Sequence, residues 1–302
     1  MWRSGRNVIS PRYLWISPGC TWIALGCPWM IKHPLTATLI VLLTCLTQSL
    51  ASSCGDAGLP LDNPKDGACG DMDIRNSVKN FRLLENCTVI EGSLHISLID
   101  YVPQEEYDKY SFPLLREITG HLMMFRVFGL RTLRNLFPNL TAIRGQSKFF
   151  KDFALVAYEM RDLEELGLMG LTMVNGLVRL TKNHRLCHIS TIDWASLAPS
   201  ADPSKHLFVD NREEQLCPDF CHESCPSTTH QDISRKRCWS PKPHDCQRNL
   251  VCNCSNGRPC APDGSCCHEL CLGGCSGTTA ADCYVCTHVV YNNECLSHSP
   301  FS

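Results

Sequence analysis

The sequence repeats one theme four times, as VIEGSLHISLI at residues 89–99, EITGHLMMFRVF at 117–128, AIRGQSKFF at 142–150 and MVNGLVRLT at 173–181. Each repeat has one or two apolar residues, a glycine, and then a strand-like run. The intervals between the glycines are 28, 25 and 31 residues (Gly92, Gly120, Gly145, Gly176). A coil of this length cannot bury its apolar face alone, so the repeats predict stacked coils that share one core, with glycine at a tight corner. We interpret this region as a parallel β-solenoid.

The composition is that of a globular protein with one unusual region. The chain has 302 residues, of which 44% are hydrophobic, and a net charge of -2. It therefore lacks the basic excess of a nucleic-acid-binding protein, and no nucleic-acid partner is expected. Of its 22 cysteines, 15 fall between Cys217 and Cys295, a density typical of an extracellular disulfide scaffold. We predict a rod of small disulfide modules there, without an apolar core.

The N-terminal region has a pattern typical of secretion. The run LTATLIVLLTCLTQSLASS at residues 35–53 is apolar and closes on the small residues of a signal-peptide cleavage site. We predict cleavage after Ala51, with Met30 as an alternative start. An uncleaved signal anchor competes with this interpretation, but the apolar run is shorter than the ~20 residues that span a bilayer. Secretion makes disulfides the expected state of the cysteines, so no metal site is predicted.

Several local features refine the solenoid. Cys69 and Cys87 bracket the first coil, where a short helix is predicted to cap the open end through Val78, Phe81, Leu83 and Leu84. The leucines of RDLEELGLMGL (161–171) are predicted to point inward (Leu163, Leu166, Leu168, Leu171). We expect Cys187 to close the last coil and the polar stretch 199–214 to lead into the second part.

Two strands depart from the pattern of a half-buried sheet. HLMMFRVF at 121–128 and FALVAY at 153–158 are apolar on both faces, whereas a strand with one buried face alternates apolar with polar residues. Either a second layer covers the outer face, or that face is an exposed apolar patch of the kind that marks a binding site. The residues alone leave both alternatives open.

The remaining motifs are weaker. Three N-glycosylation sequons occur, at Asn86, Asn139 and Asn253. The basic tripeptide Arg235-Lys236-Arg237 is either a processing site or, as we favour, a solvated loop. The sequence has no phosphate-binding glycine loop, kinase element, zinc-protease motif or serine-hydrolase elbow, so neither catalysis nor a cofactor is expected.

Six motifs together resemble the extracellular start of the insulin receptor family: CGDMDIRN (69–76), LENCTVIEG (84–92), FPNLTAIRG (137–145), ALVAYEM (154–160), RLCHISTIDW (185–194) and CCHELCLGGC (266–275). The resemblance implies a mainly β protein, in which a right-handed parallel β-helix, the receptor L domain, precedes a disulfide-rich furin-like rod. On this basis we divide the chain into an N-terminal extension and signal peptide (1–51), a flexible leader (52–68), an L domain (69–216), a furin-like region (217–295) and a tail (296–302).

The resemblance also implies a disulfide pairing, which the sequence alone could not choose. The nine implied bridges are Cys69–Cys87, Cys187–Cys217, Cys221–Cys238, Cys225–Cys246, Cys252–Cys260, Cys254–Cys266, Cys267–Cys275, Cys271–Cys283 and Cys286–Cys295. Cys54 is then left over in the leader.

In the family, one sheet of the L domain forms part of the primary hormone site. The positions that match it here are Asp73, Arg75, Asn76, Phe125, Phe149, Phe150, Phe153, Val156, Tyr158, Glu159, Arg179 and Lys182. Two positions, Ser97 and Asp100, depart from vertebrate relatives, which are similar to one another in carrying apolar or aromatic residues there. One residue also looks inserted around Lys151-Asp152. These departures predict altered affinity for a vertebrate-type hormone.

The resemblance implies a binding protein and not an enzyme. The chain stops before the positions of the family's membrane span and tyrosine kinase, so we expect it to bind but not to signal. Our leading hypothesis is a secreted, truncated receptor ectodomain that binds an insulin-like peptide, with a decoy role as one form of this hypothesis. A fragment or splice product of a transmembrane receptor tyrosine kinase is one alternative, and an extracellular structural or adhesive module is another. A receptor-derived helix, which completes the hormone site in the family, or a receptor chain is the further expected partner.

Overall fold

The computed structural model describes residues 67–218, 220–230, 232–248 and 252–298. The predicted signal peptide and Cys54 lie outside the described residues. Within these residues the chain is mainly β, with parallel sheets followed by a disulfide-rich region. The predicted fold class is confirmed.

Each coil of the solenoid contributes to two parallel sheets. One sheet contains the two-residue strands β1 (Ala68–Cys69), β3 (Val89–Ile90), β5 (Glu117–Ile118), β7 (Ala142–Ile143) and β9 (Met173–Val174), in that order. The other contains six longer strands: β2 (Met72–Asn76), β4 (Leu94–Ile99), β6 (Leu122–Val127), β8 (Phe153–Tyr158), β10 (Leu177–Thr181) and β11 (Leu207–Val209). The glycine of each repeat lies between its short strand and its long strand, as a solenoid corner requires.

The core consists of residues in register across neighbouring coils. In the six-stranded sheet one inward row is fully buried and runs through Ile74, Ile96, Met124, Ala157 and Leu180. Two similar segments, FPLL at 112–115 and FPNL at 137–140, precede the second and third repeats, and they also stack, because the ring centroids of Phe112 and Phe137 are 6.0 Å apart. The four leucines of 161–171 that we predicted to be inward are buried. Stacked coils therefore share one continuous core, as the repeats predict.

The two corners of the coil are built differently. At the glycine corner, a Cβ on Gly120 would lie 2.6 Å from the carbonyl oxygen of Gly92, so only glycine fits there. At the opposite corner, non-glycine residues with positive φ lie at or next to the carboxyl ends of the six long strands (Asn76, Leu98, Arg126, Glu159, Lys182, Asp210). The left-handed conformation costs such residues roughly 1–2 kcal/mol each, so the hydrogen bonds between stacked coils must hold them in place.

The first coil is capped as predicted, with one difference. A 3₁₀ helix covers Val78–Leu84, and the Ser77 hydroxyl accepts a hydrogen bond from the amide of Lys79 at its start. Val78, Phe81 and Leu84 are buried, whereas Leu83 is partly exposed. Two short α-helices also occur in the solenoid, at Gln104–Tyr107 and Trp194–Leu197.

Cys187 does not close the last coil, so that expectation was wrong. The chain continues through the 3₁₀ helix Pro203–Lys205 into β11, which pairs in parallel with β10. Trp194 packs against Phe208 and His206, with ring centroids 5.1 and 6.2 Å away, and this cluster holds the additional strand. The sequence did not predict this strand, because the stretch is mostly polar and only a few aromatic residues anchor the strand.

The furin-like region contains short elements stapled by disulfides. It includes the antiparallel hairpins β12 (Ser227–His230) with β13 (Ile233–Lys236) and β14 (Val289–Tyr291) with β15 (Glu294–Leu296), and 3₁₀ helices at Ser255–Gly257 and Ala280–Asp282. A further 3₁₀ helix, Glu214–Leu216, directly precedes the region. Across the described parts of both the solenoid and this region, nine bridges form, and they are the nine pairs that the resemblance implied.

Two expectations about this region need correction. Trp239 is buried and belongs to the same apolar cluster as the solenoid core, so the start of the region does use an apolar core. The tripeptide 235–237 is not a solvated loop, because Arg235 and Lys236 are paired in β13 and Arg237 is buried. The Arg237 Nε donates to the Thr228 hydroxyl at 2.7 Å, which fixes it to the facing strand.

Candidate functional site

Two rows of side chains point outward from the six-stranded sheet, since strands alternate faces and the residues between these rows fill the core. The first row contains Asp73, His95, Met123, Val156 and Arg179, and the second contains Arg75, Ser97, Phe125, Tyr158 and Thr181. Six predicted hormone-site residues therefore share this face. Val156 is almost fully buried, but Asp73, Arg75, Phe125, Tyr158 and Arg179 keep part of their surface in solvent. The exposed-patch alternative thus describes the outer face better than a complete second layer.

An aromatic stack lies in the second row. The rings of Phe125 and Tyr158 have centroids 5.4 Å apart and planes within 9° of parallel. The Arg179 guanidinium lies 5.0 Å from the Tyr158 ring centroid, and the Lys182 ammonium lies 5.6 Å from it. Cation–π contacts of this kind hold the ring in one orientation. The result is a pre-ordered, half-exposed aromatic surface, which no single residue in the sequence predicts.

Residues with a left-handed backbone conformation at the strand ends place a cluster of charged side chains beside the aromatic stack. Arg126 Nε donates to the Glu159 carboxylate at 2.6 Å, and Lys182 Nζ lies 3.7 Å from the same carboxylate. The hydrogen bond from Arg126, followed by one from the Tyr158 hydroxyl, lowers the pKa of Glu159. Glu159 therefore stays ionised at neutral pH. Asn76, the predicted site residue at the carboxyl end of β2, has the equivalent left-handed conformation.

Three predicted site residues lie at the start of β8. Phe149 and Phe150 form an edge-to-face pair with centroids 4.4 Å apart, and the Phe150 side chain is 72% exposed. The backbone of Phe149 is hydrogen-bonded to that of Phe153 across a tight loop. Phe150 and Lys151 both have positive φ, next to the position where the resemblance implied an additional residue, which stays a prediction.

Asp73 and Arg75 lie further from the aromatic stack. They form an ion pair with each other on β2, two strands away from Phe125, which corresponds to roughly 10 Å at the usual strand spacing. Ser97 lies between Arg75 and Phe125 in the second row, while Asp100 is exposed beyond the end of β4. A small hydroxyl at position 97 leaves one flank of the Phe125 ring without an apolar neighbour in its row.

The sequence interpretation missed a histidine pair on this face. His95 stands in the first row, and its Nε2 lies 2.8 Å from the Nε2 of the buried His121. The His121 Nδ1 is 2.9 Å from the carbonyl oxygen of Ser147, so it carries the proton, and His121 Nε2 accepts from His95. Burial, followed by the proximity of His121, lowers the pKa of His95. Only the parallel register, which aligns residues 26 apart, reveals this pair.

The site suits recognition of a folded partner. It combines a central aromatic surface with charges of both signs at its edge, as protein interfaces commonly do. Within the described ranges, no group of three or more His, Cys, Asp or Glu side chains could hold a metal ion.

The three sequons differ in accessibility. Asn86 and Asn253 are exposed, whereas Asn139 is partly buried and donates its Nδ2 to the carbonyl oxygen of Pro113 at 2.9 Å. Glycosylation of all three stays a prediction, and it is sterically simplest at the two exposed positions.

Comparison with known families assigns both parts of the chain. Residues 86–198 match the receptor L domain family, and residues 213–302 match the furin-like cysteine rich region. No kinase domain falls within the matched residues.

Similar proteins are receptors. The chain is 48% identical over 240 residues to a protein named as a molluscan insulin-related peptide receptor of Lymnaea stagnalis, covering 79% of this chain and 14% of that protein. It is 43% identical to an insulin-like peptide receptor of Branchiostoma lanceolatum, covering 80% and 18%, and 42% identical to the insulin receptor-related protein of Cavia porcellus, covering 81% and 19%. The chain thus spans less than a fifth of each relative's length.

None of the helices in the described part of the chain is both long and apolar enough to cross a membrane.

Proposed function

The chain belongs to the insulin receptor family, and on that premise we propose that it binds an insulin-like peptide on the outer face of the six-stranded sheet. The relatives named above as receptors for such peptides support this function. The observation that carries it is the Phe125–Tyr158 stack, which is half-exposed and pre-ordered by flanking cations. Buried aromatic side chains near the centre of an interface commonly carry most of its binding energy.

The remaining predicted residues have distinct roles in this proposal. Phe149, Phe150 and Phe153 supply apolar surface at one end of the stack. Glu159 and Lys182 supply charge at the other end, and Asp73, Arg75 and Asn76 extend the contact towards the first coil. Arg179 holds Tyr158, so its charge contributes mainly through the ring that it orients.

Titration calorimetry of the purified, oxidised chain with a synthetic molluscan insulin-related peptide tests the function. We expect saturable one-to-one binding that Tyr158→Ala weakens by about 1–3 kcal/mol. Phe220→Ala is the matched control, since Phe220 is an aromatic residue that is 62% exposed in the furin-like region. If the parent chain does not bind the peptide, or if Tyr158→Ala binds it with unchanged affinity, the assignment of this face is contradicted.

A receptor-derived helix is the second proposed partner. In the family such a helix completes the hormone site. The half-exposed side chains of Phe125 and Tyr158 provide an apolar surface on which the helix could bind. The chain alone should bind peptide weakly, and a synthetic helix from a full-length receptor should tighten it. The coupling must be reciprocal, so the peptide should tighten the helix by the same factor. Tight peptide binding that ignores the helix would indicate a self-sufficient site.

Secretion and a decoy role complete the proposal. The signal-like pattern at residues 35–53 supports secretion. Expression with a C-terminal tag should then deliver the chain to the culture medium, cleaved after Ala51, and the medium should reduce hormone-stimulated phosphorylation of a co-cultured receptor. Recovery only in the membrane fraction would favour the anchored alternative. A transcript that continues in frame past Ser302 into a membrane span would favour the receptor-fragment alternative.

A further inference from the structure

A cavity lies on the side of the five-stranded sheet, away from the face described above. Its volume is about 600 Å³. The solenoid contributes Arg116, Thr141 and Thr172 to its lining, and the furin-like region contributes Arg248, Pro262 and Tyr284. Arg116 directly precedes β5, so a regular sheet positions it.

Arg116 differs from the other arginines that join the two parts. Arg134 bonds Glu165 and Asp245, and Arg144 bonds Glu117 and the carbonyl oxygens of Cys286 and Thr287. The Arg116 guanidinium lies 5.4 Å from the Tyr284 ring centroid, but no carboxylate or carbonyl oxygen in the described ranges accepts a hydrogen bond from it. It is nevertheless partly withdrawn from solvent.

The positive charge of Arg116 is unfavourable in this cavity, because the guanidinium is partly buried and lies near a like charge. Burial lowers the pKa of Arg116, the Tyr284 hydroxyl opposes this effect, and the like charge of Arg248 adds to it. Two carboxylates adjoin the lining in sequence, and both have other partners. Glu117 pairs with Arg144, and Asp263 accepts hydrogen bonds from the amide and hydroxyl of Ser265. A partly desolvated cation without a partner is costly, and a guanidinium is the group best suited to bind an acidic oxygen pair.

We propose that this cavity is a binding site for a small organic anion. A carboxylate or sulfate group would lie between Arg116 and Arg248, and the apolar body of the ligand would contact Tyr284 and Pro262. Pockets for small molecules commonly combine apolar walls with a few polar groups in this way. The site is separate from the outer face of the six-stranded sheet, because its lining lies beside the five-stranded sheet and in the furin-like region.

The test uses benzenesulfonate and benzoate as probes, with benzyl alcohol as the neutral analogue. They are titrated by NMR into the oxidised chain carrying Asn139→Gln, because Asn139 also lines the cavity and this substitution removes its sequon without adding a charge. Both anions should bind and the alcohol should not, and added NaCl should weaken binding. Arg116→Gln should weaken binding about tenfold or more, with a smaller effect for Arg248→Gln, whose side chain is more exposed.

Arg82→Gln is the matched control, since Arg82 is an exposed arginine on the capping 3₁₀ helix. It should bind both anions as the parent chain does. Mass mapping of the disulfides confirms that each variant is folded. Equal binding of benzyl alcohol, or equal loss of affinity in Arg82→Gln and Arg116→Gln, would overturn the proposal.

Discussion

Arg134 in the solenoid donates both terminal nitrogens to the carboxylate of Asp245 in the furin-like region, with Nη1–Oδ1 and Nη2–Oδ2 distances of 2.5 Å. The same guanidinium donates to Glu165 at 2.9 Å, and Ser240 donates its hydroxyl to Asp245. Burial opposes ionisation of Asp245, but the hydrogen bonds from Arg134 and Ser240 outweigh it and hold its pKa below the usual value. The Asp245 side chain is only 4% exposed and that of Arg134 is 25% exposed, so this bidentate pair links the two parts around a buried carboxylate.

Removal of this arginine should destabilise the protein strongly. Arg134→Met leaves Asp245 buried without its partner, and breaking a buried pair in this way costs about 3–5 kcal/mol. Urea unfolding with intact disulfides, followed by tryptophan fluorescence, measures the change. Arg131→Met is the control. Arg131 is an exposed arginine that pairs with exposed Glu105 at 3.7 Å, so its loss should change the free energy of unfolding by no more than about 0.5 kcal/mol. Equal effects of the two variants would show that the link does not stabilise the fold.

Acid should destabilise the last coil through His206. Its Nδ1 accepts a hydrogen bond from the amide of Val178 at 3.1 Å, so the ring must be neutral. Burial lowers the pKa of His206 below 6.5, and Asp202 only partly opposes this. In the folded state, His206 therefore binds a proton only at a lower pH than in the unfolded state. The stability conferred by the neutral ring is present above pH 6.5 and is lost as the pH falls towards the lower folded pKa.

His206→Asn tests this pH dependence. The Asn oxygen can accept the same amide proton but does not titrate, so the thermal midpoint should fall less between pH 7.5 and pH 5.0 than in the parent chain. His184→Asn removes an exposed histidine and should keep the parent's acid sensitivity. An unchanged pH dependence in His206→Asn would exclude His206 as the source.

Two aromatic residues should dominate peptide binding. Phe125→Ala removes half of the stack with Tyr158, and Phe150→Ala removes a side chain that is 72% exposed in the free chain. Each should weaken binding by about 1–3 kcal/mol, without loss of any disulfide. Competition binding with labelled peptide provides the measurement. If both variants retain full affinity, the outer face has a structural role and the peptide binds elsewhere.

Cys54 should carry a free thiol or form an intermolecular bridge. The proposed cleavage after Ala51 would remove three of the 22 cysteines, and the nine bridges between Cys69 and Cys295 use 18 of the rest. Thiol labelling of the secreted protein and peptide mapping should therefore mark Cys54 alone, and Cys54→Ser should leave folding unchanged. A label on any cysteine from Cys69 onwards would contradict the pairing.

The sequence by itself determined the features that repeat or accumulate along the chain. The glycine intervals predicted stacked coils because one residue type is required at each tight corner, and Phe112 and Phe137 stack as their matching segments suggest. Cysteine density predicted the disulfide scaffold, although the pairing came from the resemblance and not from spacing. The doubly apolar strands marked the face that now carries the Phe125–Tyr158 stack.

Only the tertiary structure decided the features that depend on distant contacts. Arg134 and Asp245 are 111 residues apart, and Trp239 joins a core formed mainly by the solenoid. The polar stretch around β11, the non-glycine corner at residues such as Leu98 and the His95–His121 pair have no local signal, because parallel register and long-range packing create them. Sequence patterns encode which residues each coil must bury, whereas stacking of the coils determines which residues meet.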